Sequence, residues 1–381
     1  MRTLLFSCLA FCVGEACGGE RPWPTGATPA AADTTTAELR PARCQDGVVA
    51  PTPFVAVTEI PTTPGTDVTV QDVNNAGVVV GSQRMPDGSW HAFRYTDRDG
   101  VQDLALQPGF GTQSFATAIA EDGAVGGHSD HGDGTGALFG YRFTDGGGRV
   151  DVCPTVCSVW DLDRHGRVVG LVLDPVDATV WQAFLFSPAA GLRRLGTLGG
   201  ARSSASGIND AGLVVGNAQI ATSAVTDIGH AFIFDAVRGM RDLNAVANAP
   251  GWELKTANDI TRTQIAGYGV HGGATHAFLY DIATRAVRDL GTPAGDGSSF
   301  AFALDAHGDV AGYAIRDAHA NDAFVYSANI GMRRVGDFVD PAQQWDLQQV
   351  DGINDNGEVV GWGFHQGVAR AFKLTLPLCS R

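Results

Sequence analysis

Hydrophobic and polar positions alternate in short bursts along most of this chain, and turns rich in glycine cut the bursts apart. The order is clearest from Gly207 to Asp235. There GINDAGLVVG makes two extended runs around a tight turn: Asn, Asp and Gly tolerate its left-handed backbone, and Leu213, Val214 and Val215 favour strands. His230-Ala231-Phe232-Ile233-Phe234 is a third run. After the Gly239 turn, Met240 to Leu243 forms a fourth. One unit thus predicts about four short strands.

The unit recurs. The glycine closing its second strand appears as Gly81, Gly127, Gly170, Gly216, Gly267, Gly312 and Gly361, at spacings of 43 to 51 residues. The preceding turn starts at Asn74, Ala120, Asp163, Asn209, Asp305 and Asn354; the fifth copy, Thr261-Arg262-Thr263-Gln264, lacks the turn glycine. An Ala-Phe pair follows at Phe93, Phe184, Phe232, Phe278, Phe324 and Phe372, with Leu138-Phe139 expected in its place in the second copy. Self-similarity at a fixed period marks stacked or ringed units, here seven of them.

The pattern of GINDxGxVVG, HAF and DLG resembles the HAF repeat family of bacterial extracellular proteins. Its best matches are Gly207 to Gly216, His230 to Phe232, His276 to Phe278, Arg288 to Gly291 and Gly352 to Gly361, and the likeness covers roughly Phe54 to Leu376. It implies an exported β-repeat protein and carries over no catalytic or binding residue.

The ends of the repeat region predict closure. The seventh copy stops after its third strand, and Phe54 to Ile60 stands where a fourth strand belongs. An open sheet edge leaves N–H and C=O groups unpaired, so the N-terminal strand is expected to pair with Ala369 to Leu376. The expected fold is an all-β, seven-bladed β-propeller over 54–381 with three-plus-one closure. An open solenoid would need capping units, and neither end resembles one.

Upstream, Met1 to Val13 carries one charge, at Arg2, before an apolar run too short to span a bilayer. Residues 1–16 therefore read as a signal peptide, which implies export. Cys17 after Ala16 is a candidate for lipidation, although Gly14 and Glu15 depart from the usual lipoprotein signal; ordinary cleavage nearby is the alternative. Residues 17–53, rich in Pro, Ala and Thr, read as an extended linker.

Of seven cysteines, Cys8 and Cys12 leave with the signal peptide. Cys44 precedes the first strand and Cys379 follows the last, so closure predicts a Cys44–Cys379 disulfide, which would contribute about 4 to 5 kcal/mol by loop entropy. Cys153 and Cys157, in CPTVC, form a second candidate pair; zinc is disfavoured because the spacing is wrong and no second pair exists. The formal charge of −15 argues against nucleic acid, and against a membrane except through a lipid anchor. An unknown protein or glycan is the expected partner and a monomer the expected state.

Candidate chemistry is sparse. His128, Asp130, His131 and Asp133 crowd one loop of the second copy and could hold a metal, with calcium the alternative to no cofactor at all; a solvated turn is the preferred explanation. His91, His230 and His276 recur at the HAF position, but their counterparts are Gln182, Asp322 and Arg370, so a structural hydrogen bond to a turn is expected there. Trp252 and Trp345 fit a core anchor better than a sugar platform. GxSxG, HExxH and phosphate-loop motifs are absent, and glutamates are few, so no catalytic residue is assigned. The sequence favours a binding or interaction module, with a carbohydrate-active hydrolase or lyase as the alternative.

Overall fold

Each repeat folds as one four-stranded antiparallel sheet, with its strands in chain order in all but the seventh, as seen in the computed structural model of the chain. The chain divides into two units, 1–36 and 37–381, and only the second is described. Described are residues 42–45 and 48–51 (backbone only), 54–62, 67–177, 179–224, 226–317 and 320–378. The signal-peptide and Cys17 expectations, the Cys44 side chain and Cys379 lie outside them.

The first strands of the sheets are Val68–Val73, Ser114–Ile119, Cys157–Leu162, Gly199–Ile208, Trp252–Ile260, Ser298–Leu304 and Trp345–Ile353. Each packs beside the next and the seventh packs beside the first, so seven blades ring a central axis. This is a seven-bladed β-propeller. Apolar burial is spread between blades instead of lying in one centre. One cluster joins each neighbouring pair, and the last puts Val360 and Ala371 of blade 7 against Val68, Val70 and Phe93 of blade 1.

The repeat's uniform letters are packing requirements. Phe93, Phe184, Phe232, Phe278, Phe324 and Phe372 are fully buried, and each pairs across the ladder with its blade's recurrent glycine. Burying such a ring is worth about 3 kcal/mol. In blade 2 the sequence expectation needs correcting. Tyr141, not Phe139, pairs with Gly127 and is fully buried. Its neighbour is Gly140 in place of alanine, because a Cβ there would stand 2.6 Å from Cys157 Sγ.

The outermost strand of blade 7 comes from the N-terminal side. Thr58–Glu59 pairs with Lys373 and Phe372, and Ile60 donates its N–H to Ala371 O at 3.0 Å. Only the end of FVAVTEI joins the sheet: Val55 bridges to Val339 instead, and Val57 N–H goes to the Gln343 side chain. Upstream, Ala42–Gln45 and Val48–Pro51 pair antiparallel within the segment expected to be an extended linker. Asp46-Gly47 between Gln45 and Val48 is a two-residue hairpin signal that the Pro/Ala/Thr-rich surroundings mask. Cys153 and Cys157 are joined by a disulfide, buried between blades 2 and 3.

The seam between blades 7 and 1 is also tied by charge. Lys373, 5% exposed, donates to Gly77 O at 3.2 Å and to Asp97 at 3.0 Å and pairs with Glu358 at 2.9 Å. Removing one partner of a buried pair leaves the other charge uncompensated. Lys373→Met is therefore expected to cost about 2 to 3 kcal/mol, at the low end because Asp97 is exposed. Urea unfolding tests this; a change within about 0.5 kcal/mol would mean the pair contributes nothing net.

Candidate binding site in the central channel

Every first strand carries a β-bulge at the same place, three residues before its turn begins. The extra residues are Gln71, Thr117, Trp160, Ser206, Asn258, Phe302 and Asp351. A bulge takes a residue out of the ladder and re-aims its side chain. All seven are half-buried although they sit on the innermost strands, which directs them to the axis. No two are of the same type, in a repeat whose packing positions are nearly invariant.

The next residue along alternates. Blades 1, 3 and 5 have Asp72, Asp161 and Asp259; blades 2, 4, 6 and 7 have Ala118, Gly207, Ala303 and Gly352. Each aspartate accepts the N–H of its own successor and reaches into the following blade for a second. Asp72 accepts from Val73 (2.7 Å) and Ile119 (2.9 Å), Asp161 from Leu162 (2.7 Å) and Ile208 (2.7 Å), and Asp259 from Ile260 (2.6 Å) and Leu304 (2.7 Å). The small residues make room: a Cβ on Gly352 would lie 3.0 Å from Asp72 Cα. Serines reinforce the same blade pairs. Ser114, Ser203 and Ser299 accept the N–H of Ala92, Ala183 and Ala277 from the preceding blade.

These carboxylates touch channel solvent, yet protein encloses them on every side. Burial pushes Asp72 up to about 7 and Asp259 up to about 6, in each case against the pull of the two N–H donors. Asp161 is raised well above the usual range by burial, then by the charge of Asp259. Asp351 is raised by burial to about 7. Among the described residues it differs from the other three in having no backbone donor and a single hydrogen-bond partner, the Gln349 amide.

Aromatic rings line two sectors. Phe115 stacks on His128 at 5.2 Å, and His128 meets the edge of Trp160 at 6.1 Å. Burial there holds the imidazole neutral, down to about 4. Tyr313 stacks on Phe300 at 4.9 Å and lies 5.5 Å from Phe302.

The four residues crowded after Gly127 do not converge. His128 is in the aromatic sector, and Asp130 is spent on Thr112 Oγ1 (2.8 Å) and Gln113 N–H (3.1 Å). His131 pairs with Asp151 at 3.0 Å, while Asp133 closes a turn on Thr135. A metal is better served elsewhere. Among the described residues, Asp305, His307 and Asp355, on the turns of blades 6 and 7, bring ligand atoms within 4.8 Å of one another. Asp355 is already occupied by Ala306 N–H and Asn75 Nδ2, both at 2.8 Å, so an ion would share its oxygens. A set with one imidazole suits a transition metal better than calcium.

The HAF histidines bind the fourth strand, not a turn. His91 meets Asp103 at 2.7 Å, His230 meets Asp242 at 2.8 Å and His276 meets Asp289 at 3.0 Å. Blade 6 reverses the charges with Asp322 on Arg334, and blade 7 uses Arg370 on Glu59 at 2.9 Å. A pair that survives reversal holds two strands together and has no catalytic polarity. Trp252 and Trp345 stack on His271 and His365, both at 4.6 Å, and turn their rings onto the buried Phe278 and Phe372, as anchors do.

No protein-family profile matches this chain, and no curated protein sequence does. Solved structures do. The β-propeller domain of the trilobed protease from Pyrococcus furiosus, described as having an open velcro topology, is 9% identical, covering 80% of this chain and 95% of its own, with a TM-score of 0.53. Oligogalacturonate lyase from Vibrio parahaemolyticus is 11% identical over 86% of this chain and 95% of its own, with a TM-score of 0.55. Pyrococcus horikoshii acylaminoacyl peptidase is 8% identical over 78% of this chain and 49% of its own, at 0.50. At such identities the likeness is one of fold. The proteins that carry these matched propellers include a protease, a peptidase and a lyase, and the fold by itself is compatible with binding and with catalysis.

Proposed function

We propose that this protein is an exported β-propeller of the HAF repeat kind that binds a ligand in its central channel and performs no chemistry on it. One observation carries the reading. The seven bulge residues are all of different types where the scaffold is otherwise uniform; Thr117 and Asn258 donate to Val159 O (2.8 Å) and Ala301 O (2.7 Å) of the next blade, but no shared packing requirement dictates the column. Most polar groups that could do catalysis are engaged: the channel aspartates of blades 1, 3 and 5 each hold two N–H groups and the HAF histidines hold carboxylates, which leaves Asp351 without a second carboxylate free to work beside it. The apolar leader of residues 1–16 supports export to the cell surface or periplasm. Cys17 is the point at which a lipid would tether the domain, and no second copy is required by the closed ring.

A glycan array probed with the purified protein, with and without chelator, tests this. Binding abolished by Trp160→Ala together with Phe302→Ala, with unfolding unchanged, is the expected outcome. Binding untouched by both would remove the ligand from the channel.

The second reading is a carbohydrate-active hydrolase or lyase. Channel carboxylates poised near neutral pH favour it, because perturbed acids gather at functional sites. The same acidity disfavours an anionic polymer as substrate. Release of new sugar ends from neutral oligosaccharides, lost on Asp351→Asn, would establish it over the binding reading.

A further inference from the structure

Asp351 is the channel carboxylate that the fold does not use. Asp72, Asp161 and Asp259 each bridge two blades through backbone N–H groups, but among the described residues Asp351 receives only the Gln349 amide and has no cationic partner. Its charge acts on Tyr313 of the neighbouring blade, whose phenol is pushed up to about 12 by burial and then by that charge. Tyr313 stacks on Phe300 at 4.9 Å and lies tilted against Phe302 at 5.5 Å between centroids. Phe302 and Asp351 are both bulge residues, set at the same height on adjacent first strands. One carboxylate and the half-buried rings of Phe302 and Tyr313, backed by the buried Phe300, thus line one sector of the channel.

We infer that the sector formed by Phe300, Phe302, Tyr313, Gln349 and Asp351 binds the head group of an organic cation, an alkylammonium such as a quaternary amine. The inference rests on the channel being the ligand site and names the ligand's chemistry. An alkylammonium satisfies both halves of the sector: its charge neutralises the enclosed carboxylate, and its methyl groups lie on ring faces whose quadrupoles attract cations. A metal ion fits poorly, since one carboxylate and one amide fall short of the ligands it needs. A neutral sugar would stack on the rings but leave the charge unanswered.

Isothermal titration of the full chain at pH 8, where Asp351 is ionised, uses choline and its uncharged isostere 3,3-dimethylbutan-1-ol. Choline is expected to bind, and the isostere to bind at least about tenfold more weakly, because only the charge differs. Asp351→Asn keeps size and the Gln349 contact, and is expected to weaken choline about tenfold or more while leaving thermal unfolding at pH 8 unchanged or higher. Phe302→Ala, which keeps the carboxylate, is expected to weaken it about fivefold. Equal affinity for choline and the isostere, choline affinity unaffected by Asp351→Asn, or no choline heat at all would overturn the inference. If choline fails while an array glycan still depends on Trp160 and Phe302, the channel reading stands and the cation assignment falls.

Discussion

Gly216→Ala is expected to destabilise the protein by about 3 kcal/mol or more, and to do so without changing charge or polarity. A Cβ at this position would stand 2.0 Å from the Ser204 carbonyl oxygen, 2.9 Å from Ala205 Cα and 2.9 Å from the ring of Phe232. The first two are backbone and cannot swing aside. The bulge between Ala205 and Gly207 draws the first strand against the second here, and Phe232 fills the opposite side. Something must move: the bulge, which would re-aim Ser206, or the ring, which would open a cavity between blades. Gly239→Ala is the control. It sits at φ +74° with nothing within 4 Å of the added atom, so only left-handed backbone strain applies, about 1 to 2 kcal/mol. Urea unfolding of the two variants should separate them clearly. A Gly216→Ala protein no less stable than the Gly239→Ala protein would mean that the first strand can shift, and that the bulge is not fixed by packing.

The same crowding recurs at Gly81, Gly267, Gly312 and Gly361, where carbonyl oxygens of the first strand stand 2.0 to 2.1 Å from the missing atom. That is why the blade count was legible. A position at which only one residue fits repeats in the sequence as surely as the blade repeats in space, and the buried phenylalanine facing it repeats for the same reason. Closure was legible in outline because an unpaired third strand demands a partner, but its extent was not. Gln343 captures Val55 O and Val57 N–H, and so peels the N-terminal segment off before it can cover the whole edge. Nothing in FVAVTEI announces that.

The channel was hidden for a complementary reason. Its lining is the column in which the copies disagree, and a search for repeats looks past such a column. Asp72, Asp161 and Asp259 also stand close to turns full of Asn and Asp, where an acidic residue reads as turn chemistry. Only the alternation with alanine and glycine in the other blades separates them from that background. The partners of the HAF residues were missed because the loop between third and fourth strands varies: His91 to Asp103 spans 12 residues, and His276 to Asp289 spans 13. The swap to Asp322 with Arg334 in blade 6 was visible in the letters, but it became meaningful only once the two strands were known to pair.

The alternating aspartates carry the second large expectation: the protein should become more stable as pH falls from 8 to about 6.5. Their folded-state values lie above the unfolded carboxylate value, so in this window the folded chain takes up protons that the unfolded chain does not. Stability then falls as pH rises through those values. Asp72 and Asp351, at about 7, and Asp259 and Asp305, at about 6, place the effect between pH 5 and 8; Asp161 acts in the same direction. Each fully responsive group contributes about 1.4 kcal/mol per pH unit. His128 opposes them below pH 6.5. Its folded value of about 4 means that the unfolded chain there binds the extra proton, and stability is lost as pH falls. Asp97 and Asp227, held low, add losses only below the usual carboxylate range. The sum predicts a maximum near pH 5 to 6, with the midpoint of thermal unfolding several degrees higher at pH 6 than at pH 8. Asn at positions 72, 161 and 259 together should flatten the rise, while costing stability at every pH, because each amide keeps one acceptor and turns an N–H toward the other donor. A midpoint that is level or falls from pH 8 to pH 6 in the unaltered protein would show that these carboxyls are ionised in the folded ring. Water in the channel would then solvate them well enough to cancel their burial, and the blades would be clamped by charged hydrogen bonds instead of neutral ones.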